Sequence, residues 1–247
     1  MGSSDIIEGR NPVMEAIKSG RPINKILIAK GTKEGSIKKI ISMAKDSGIV
    51  MQTVDRNKLN SVSTSDNHQG VIAYVSPHEY KDLDELIFEL NEKEENPFFI
   101  ICDEINDPHN LGSIIRTANA VGANGVIIPK RRASGITPVV VKTSAGATEY
   151  VPVCKVTNIA RTIDKLKDNG VWIVGTDTDG DRAFYESDLK GKIAIVVGNE
   201  GSGMSRIVKE ACDFVVNIPM VGEVSSLNAS VAASILMYES LRQKNIK

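Results

Sequence analysis

The sequence predicts an α/β protein in two parts, a small mixed α/β domain followed by a larger parallel sheet covered by helices on both faces. Three observations carry this. Roughly the first 75 residues alternate helical and extended patterns. From Phe98 onward the extended segments become unbroken apolar runs, the signature of strands buried on both faces. Between the two lies a stretch bounded by Pro77 and Pro97 and rich in charge at Glu92, Lys93, Glu94 and Glu95, which reads as a connector. The expected division is therefore a domain at 1–76, a connector at 77–97 and a second domain at 98–247.

In the first part, residues 11–19 read as a helix, with Pro12 suited to its first turn. Residues 25–29 read as a short strand. Residues 36–47 carry Ile37, Ile40, Ile41 and Ala44 at helical spacing, and Gly48 stops the pattern. Strands follow at 49–54 and 71–75. The connector holds one candidate amphipathic helix, at 82–90. In the second part, strands are expected at 98–102, 125–128, 171–175, 193–197 and 214–218, with helical stretches between most of them. Ligands of such sheets sit at the carboxyl ends of the strands.

A chain of 247 residues can bury a core without disulfides or metals. Cys102, Cys154 and Cys212 are scattered and odd in number, which disfavours a disulfide framework and a structural zinc site. With no signal-peptide pattern and no long apolar run, a cytoplasmic location is expected. The net charge of −1 counts mildly against nucleic-acid binding, though a local basic patch could still serve. The candidates are Lys130-Arg131-Arg132 and the group Arg10, Arg21 and Lys25; from charge alone, 130–132 is more simply a solvated loop. His68, His78 and His109 show no metal-ligand spacing, and no Ser-His-Asp or Cys-His triad can be assigned.

Three segments stand out. The first runs from Asp107 to Ala118. Asn110 is a candidate helix cap, and Leu111, Ile114, Ile115, Ala118 and Val121 form one apolar stripe from which Arg116 points away. The second, 197–205, is a glycine-rich loop between a buried strand and a helix. Its GxxGxG spacing is not that of a dinucleotide fold, and Met204-Ser205 replaces the Lys-Ser/Thr of a phosphate-binding loop. The third, 217–233, runs from a strand end at Ile218 through a loop into a thin, alanine-rich helix expected to start near Ser226, where Ser226 and Asn228 are candidate caps. In that last helix Leu227, Val231, Ile235 and Tyr238 form a stripe expected to face the sheet, which leaves Ala229, Ala233 and Met237 as a second apolar face.

As a set, NLGSIIRTA, VGNEGSGMS and IPMVGEVSSLNASVAA resemble the three motifs of the SpoU (TrmH-type, SPOUT) ribose methyltransferases. The GRNPVMEAI start and the His68-Gln69-Gly70 triplet resemble that family's small RNA-binding domain of ribosomal-protein L30e type. The resemblance is closest to the two-domain members that methylate a guanosine ribose in 23S rRNA. It implies a trefoil-knotted α/β catalytic domain, S-adenosylmethionine (SAM) as cofactor, structured RNA as partner, and a homodimer formed through the catalytic domain. It implies that Gly198, Ile218 and Leu227 hold SAM, and that Asn110, Arg116, Glu200, Ser226 and Asn228 belong to the catalytic site. In the family's mechanism the residue at Arg116 is a general base. A guanidinium, which stays protonated in proteins, serves more readily as a phosphate grip and alkoxide stabiliser, and both roles stay open at this point. A tRNA substrate and a non-catalytic RNA-binding role are the alternatives.

Overall fold

The computed structural model describes residues 5–32, 35–64 and 67–245. Along the chain run β1 (Asp5–Glu8), α1 (Arg10–Lys18), β2 (Ile23–Ala29), α2 (Gly35–Asp46), β3 (Met51–Val54), α3 (Arg56–Val62), β4 (Val71–Val75) and α4 (Leu83–Glu92). Then follow β5 (Phe98–Cys102), α5 (Pro108–Ala120), β6 (Gly125–Pro129), α6 (Pro138–Thr143), β7 (Val153–Val156), α7 (Ile159–Asp168) and β8 (Trp172–Thr176). The last elements are β9 (Arg182–Ala183), β10 (Ile193–Val197), α8 (Arg206–Ala211), β11 (Phe214–Asn217) and α9 (Ala229–Asn245). None of the described helices is long and apolar enough to cross a membrane.

The chain divides into two compact units, and the division departs from the expected boundaries. The first unit comprises Met1–Glu79 together with Ile136–Tyr150. Its sheet has the order β1-β4-β2-β3, with β4 antiparallel to both neighbours and β2 parallel to β3. The returning segment belongs here because it completes the core: Val141 of α6 is buried in one cluster with Ile7, Val13, Ile26 and Val75. Gly146 lies so close to α1 that an added Cβ would come within 2.7 Å of the Glu15 side chain and 3.3 Å of the Pro12 backbone. Arg21 donates to Glu149 at 2.7 Å, with side chains only 9% and 6% exposed, and also to the Ser76 carbonyl at 2.7 Å.

The His68-Gln69-Gly70 triplet serves as an internal lock. The Arg10 N–H donates to Gln69 Oε1 at 3.1 Å, and Arg10 Nε donates to the Gln69 carbonyl at 3.1 Å. The Gly70 N–H donates to His68 Nδ1 at 3.0 Å, which leaves the ring proton on Nε2, 2.8 Å from Asn60 Oδ1. Lys25 lies over the Tyr74 ring at 4.6 Å. Arg10, Arg21 and Lys25, the other candidate basic group, thus each make contacts within the unit.

The second unit comprises Tyr80–Gly135 and Val151–Lys247. It holds a seven-stranded sheet of order β7-β6-β5-β10-β8-β11-β9 in which every pairing is parallel. All seven carboxyl ends therefore open on one edge. The charged stretch read as a connector is part of this unit: Leu83, Leu86, Ile87 and Leu90 of α4 are buried in one cluster with Phe99, Ile127 and Ile163. Its flanking charges mislead because they cap and solvate the outer side of a core helix, with Asp82 accepting from the Asp84 and Glu85 N–H groups.

Helices α5 and α9 contact each other, and α9 also packs on β10. The stripe of α5 is buried as expected. The stripe of α9 is not. Val231 and Tyr238 are 46% and 52% exposed, whereas Ala233, Leu236, Met237 and Ser240 are fully buried. Small side chains win the inner face because they let α9 approach α5 closely, as the 3.0 Å contact between Thr117 Oγ1 and Ser234 Oγ shows. The second apolar face expected at Ala229, Ala233 and Met237 is therefore the core face.

The Arg21–Glu149 pair generates a stability prediction. Arg21→Met leaves a buried carboxylate unpaired, which costs about 3–5 kcal/mol. Urea unfolding should show a lower midpoint for the variant; an unchanged midpoint would remove the pair from the stability of this unit.

Candidate active site

Strand β10 ends at Val197 and the chain turns back on itself at once. The Asn199 and Gly203 backbones exchange two hydrogen bonds of 2.9 Å, and the Gly201 N–H donates to Asn199 Oδ1 at 2.8 Å. An added Cβ on Gly198 would sit 2.2 Å from the Gly203 and Met204 backbone, so only glycine lets this loop close. The loop is anchored from outside as well. Asn199 Nδ2 donates to the Glu104 carbonyl at 3.0 Å, and the buried Asp103 accepts from the Ser205 N–H at 2.7 Å. Both anchors come from the loop that follows β5.

Three of the residues expected from the sequence converge on this loop. Asn110 is buried in the first turn of α5 and donates to Glu200 Oε1 at 2.6 Å. It does not cap the helix, because Asp107 does, accepting from the His109 N–H at 2.8 Å with Pro108 in the first turn. Asn228 donates to Asn110 Oδ1 at 2.9 Å and also to Glu200 Oε1. Its own Oδ1 accepts from the N–H groups of Ser230 at 2.9 Å and Val231 at 3.3 Å, so it caps α9. One side chain thus starts a helix and joins a charge-assisted network.

Beside this junction, at the carboxyl edge of the sheet, opens a cavity of about 340 Å³, within the range of small-ligand sites. Gly198, Glu200, Ile218, Ser226 and Leu227 line it. Ser226 lies in the loop ahead of α9 and does not cap the helix. Arg116 is not part of the lining. It is exposed on α5, on the side away from the buried stripe, and has no ion-pair or hydrogen-bond partner among the described residues.

The sequence reading missed a fourth wall, formed by Thr176, Asp177 and Thr178 at the end of β8. Asp177 accepts from Lys209 Nζ at 2.9 Å and from the Thr178 N–H at 2.7 Å; Lys209 also pairs with Asp179. The hydrogen bonds that the Lys209 ammonium donates to Asp179, and then to Asp177, hold it above its ordinary pKa. The signal was a Thr-Asp-Thr-Asp-Gly run directly after an apolar strand, at the edge where ligands bind. Gly180 in that run is needed because an added Cβ would lie 2.5 Å from the Val216 carbonyl carbon.

Residues 97–238 match the SpoU rRNA methylase family, and residues 6–81 match the RNA 2′-O ribose methyltransferase substrate-binding domain. The chain belongs to the SpoU methylase family. It is 51% identical over 241 residues to YacO of Bacillus subtilis (strain 168), named for the TrmH family of tRNA/rRNA methyltransferases, covering 98% of this chain and 96% of that protein. The SpoU methyltransferase AviRb from Streptomyces viridochromogenes, solved in complex with AdoMet, superposes with a TM-score of 0.82 at 26% identity, over 98% of this chain and 90% of that one. A TrmH/SpoU tRNA modifying enzyme of A. aeolicus is 30% identical, with a TM-score of 0.55, over 66% of this chain and 84% of that one.

As a SpoU methylase the chain is a SAM-dependent RNA ribose 2′-O-methyltransferase of the knotted SPOUT class. The cavity suits SAM on its own terms. Ile218, Leu227, Ala229 and Ala232 give it an apolar wall, and the buried Thr176 hydroxyl has no hydrogen-bond partner among the described residues. An orphaned hydroxyl in a cavity wall calls for a polar ligand atom. Thr176→Val should therefore weaken S-adenosylhomocysteine binding about 2- to 10-fold, the worth of one neutral hydrogen bond. Calorimetry checks this, and unchanged affinity would take Thr176 out of the cofactor site.

Proposed function

We propose that this methyltransferase modifies a guanosine ribose in 23S rRNA, in the cytoplasm and as a homodimer. The observation that carries the catalytic reading is the junction of Asn110, Glu200 and Asn228 at the cavity mouth, where the three motif segments meet. An intact junction favours catalysis over a role in RNA binding alone. The rRNA reading is supported by the match of residues 97–238 to the SpoU rRNA methylase family and by the presence of a separate substrate-binding region at 6–81. The tRNA modifying enzyme of A. aeolicus covers only 66% of the chain. The guanosine reading rests on resemblance to the two-domain enzymes with that target.

When bound, SAM supplies a methyl group already activated by its sulfonium. Gly198, Ile218 and Leu227, which line the cavity, would hold it. The protein must then position a ribose 2′-hydroxyl and manage one proton and one developing negative charge. Arg116, exposed and without a partner among the described residues, grips the phosphate beside that ribose and stabilises the developing alkoxide. A guanidinium holds its proton too firmly to serve readily as a base. Glu200 Oε1 is committed to the two asparagine amides, so Glu200 sets the geometry of Asn110 and Asn228, and Ser226 on the rim orients the ribose.

Arg116→Ala should lower turnover about 10²- to 10⁴-fold with SAM affinity unchanged. Single-turnover methylation alongside calorimetry tests this, and near-normal turnover would remove Arg116 from the mechanism. Mapping 2′-O-methyl groups on total RNA from cells with and without the gene tests the substrate: a missing methyl in tRNA instead of 23S rRNA would replace the rRNA reading.

Dimerisation through α9 uses its exposed Val231 and Tyr238, since a two-fold interface repeats one patch on both subunits. Val231→Glu with Tyr238→Glu should convert a dimer into a monomer of about 27 kDa by light scattering. An active wild-type monomer would sink the dimer.

A further inference from the structure

In a chain of net charge −1, residues 130–132 are three consecutive cations, and all three are exposed. They follow β6 directly, at the edge where the carboxyl ends of the parallel sheet open and where the cavity lies. The turn is held in one shape. The Lys130 N–H donates to the Val156 carbonyl at 2.8 Å, and the Ser134 N–H donates to the Ile105 carbonyl at 2.9 Å. Arg132 has a φ of +57°, a conformation a non-glycine residue adopts only when its surroundings enforce it.

The charges of this turn are largely unspent. Lys130 and Arg131 have no ion-pair partner among the described residues. Arg132, 82% exposed, meets Glu104 at 3.4 Å, a surface pair of the kind worth little in water. The Glu104 carbonyl is the same one that receives Asn199 of the glycine loop. The basic turn, the loop after β5 and the cofactor loop therefore form one bonded assembly. By contrast, Arg10, Arg21 and Lys25 of the substrate-binding unit are engaged internally.

We propose that the turn 130–132 is a phosphate-binding surface of the catalytic unit, taking the RNA backbone near the nucleotide being methylated, with Arg132 exchanging Glu104 for a phosphate. A planar guanidinium binds a phosphate in bidentate fashion more strongly than it holds one exposed carboxylate oxygen. The proposal rests on RNA being the substrate, and it adds a second RNA contact outside the matched substrate-binding region.

The test compares wild type, Lys130→Gln with Arg131→Gln, and Glu104→Gln, using deproteinised 23S rRNA and bulk tRNA as probes over a range of salt concentrations. Each lost phosphate contact lowers the slope of log affinity against log salt by about 0.7 to 0.9. The double variant should therefore bind the preferred RNA more weakly, with a slope shallower by about 1.4 to 1.8. Glu104→Gln, which removes the competing carboxylate, should bind RNA more tightly. S-adenosylhomocysteine affinity should stay at the wild-type value in both, showing an intact cavity. A double variant that binds RNA with the wild-type slope overturns the phosphate surface alone. A wild-type protein that retains neither RNA overturns the RNA reading as well.

Discussion

Glu200 Oε1 accepts hydrogen bonds from Asn110 and from Asn228, two amides that stand at the starts of different helices. The three residues lie far apart in the chain and belong to three separate segments at one edge of the sheet: the first turn of α5, the glycine loop and the start of α9. Each partner is fixed by a second bond that leaves it little freedom. Asn228 Oδ1 is held by the first N–H groups of α9, so only its amide nitrogen can face the carboxylate. Asn110 is buried on α5 and turns its oxygen to Asn228 and its nitrogen to Glu200. A carboxylate that accepts from two oriented donors is stronger glue than neutral pairs of the same count. It also sets donors and acceptors in place before substrate arrives, which is where much of the rate advantage of a positioned site originates.

The glycines of the central loop do a different job from the one glycine-rich loops usually suggest. Gly198 is required by the loop's own backbone, since any side chain there would run into Gly203 and Met204. Tight closure brings Glu200 back over the sheet edge, and Asn199 and Asp103 tie the closed loop to its neighbour after β5. Lys209 does the same for the β8 loop by bridging Asp177 and Asp179. The cavity walls are thus braced by side chains that do not all line the cavity themselves.

The smaller unit is assembled from two separate stretches of chain. Ile136–Tyr150 contributes a helix to its core and a carboxylate to its buried ion pair. Removing one stretch would expose the apolar face and strand the charge of the other. A cut made at the end of β4 would therefore not isolate an independent module.

Much of this protein was legible from residues alone. β5 and β10 occupy the spans their apolar runs marked out, because strands buried on both faces tolerate no polar interruption. The stripe of α5 and the outward direction of Arg116 followed from helical periodicity, which depends only on the 3.6-residue repeat. The three motif segments, and through them the family, needed no coordinates. What the sequence could not show were facts about which surfaces meet. The apolar side of α9 could face either way until α5 took the alanine and serine side, the one that permits close approach. The proline-bounded stretch before β5 looked like a connector until Leu83, Leu86 and Leu90 had a core to enter. Membership of 136–150 in the first unit, and the place of Thr176 in the cavity wall, depend on contacts between residues distant in the chain. Local pattern decides what an element is, because backbone geometry and burial period are local; which partner covers it is decided only when the whole chain has chosen how to fill its cores.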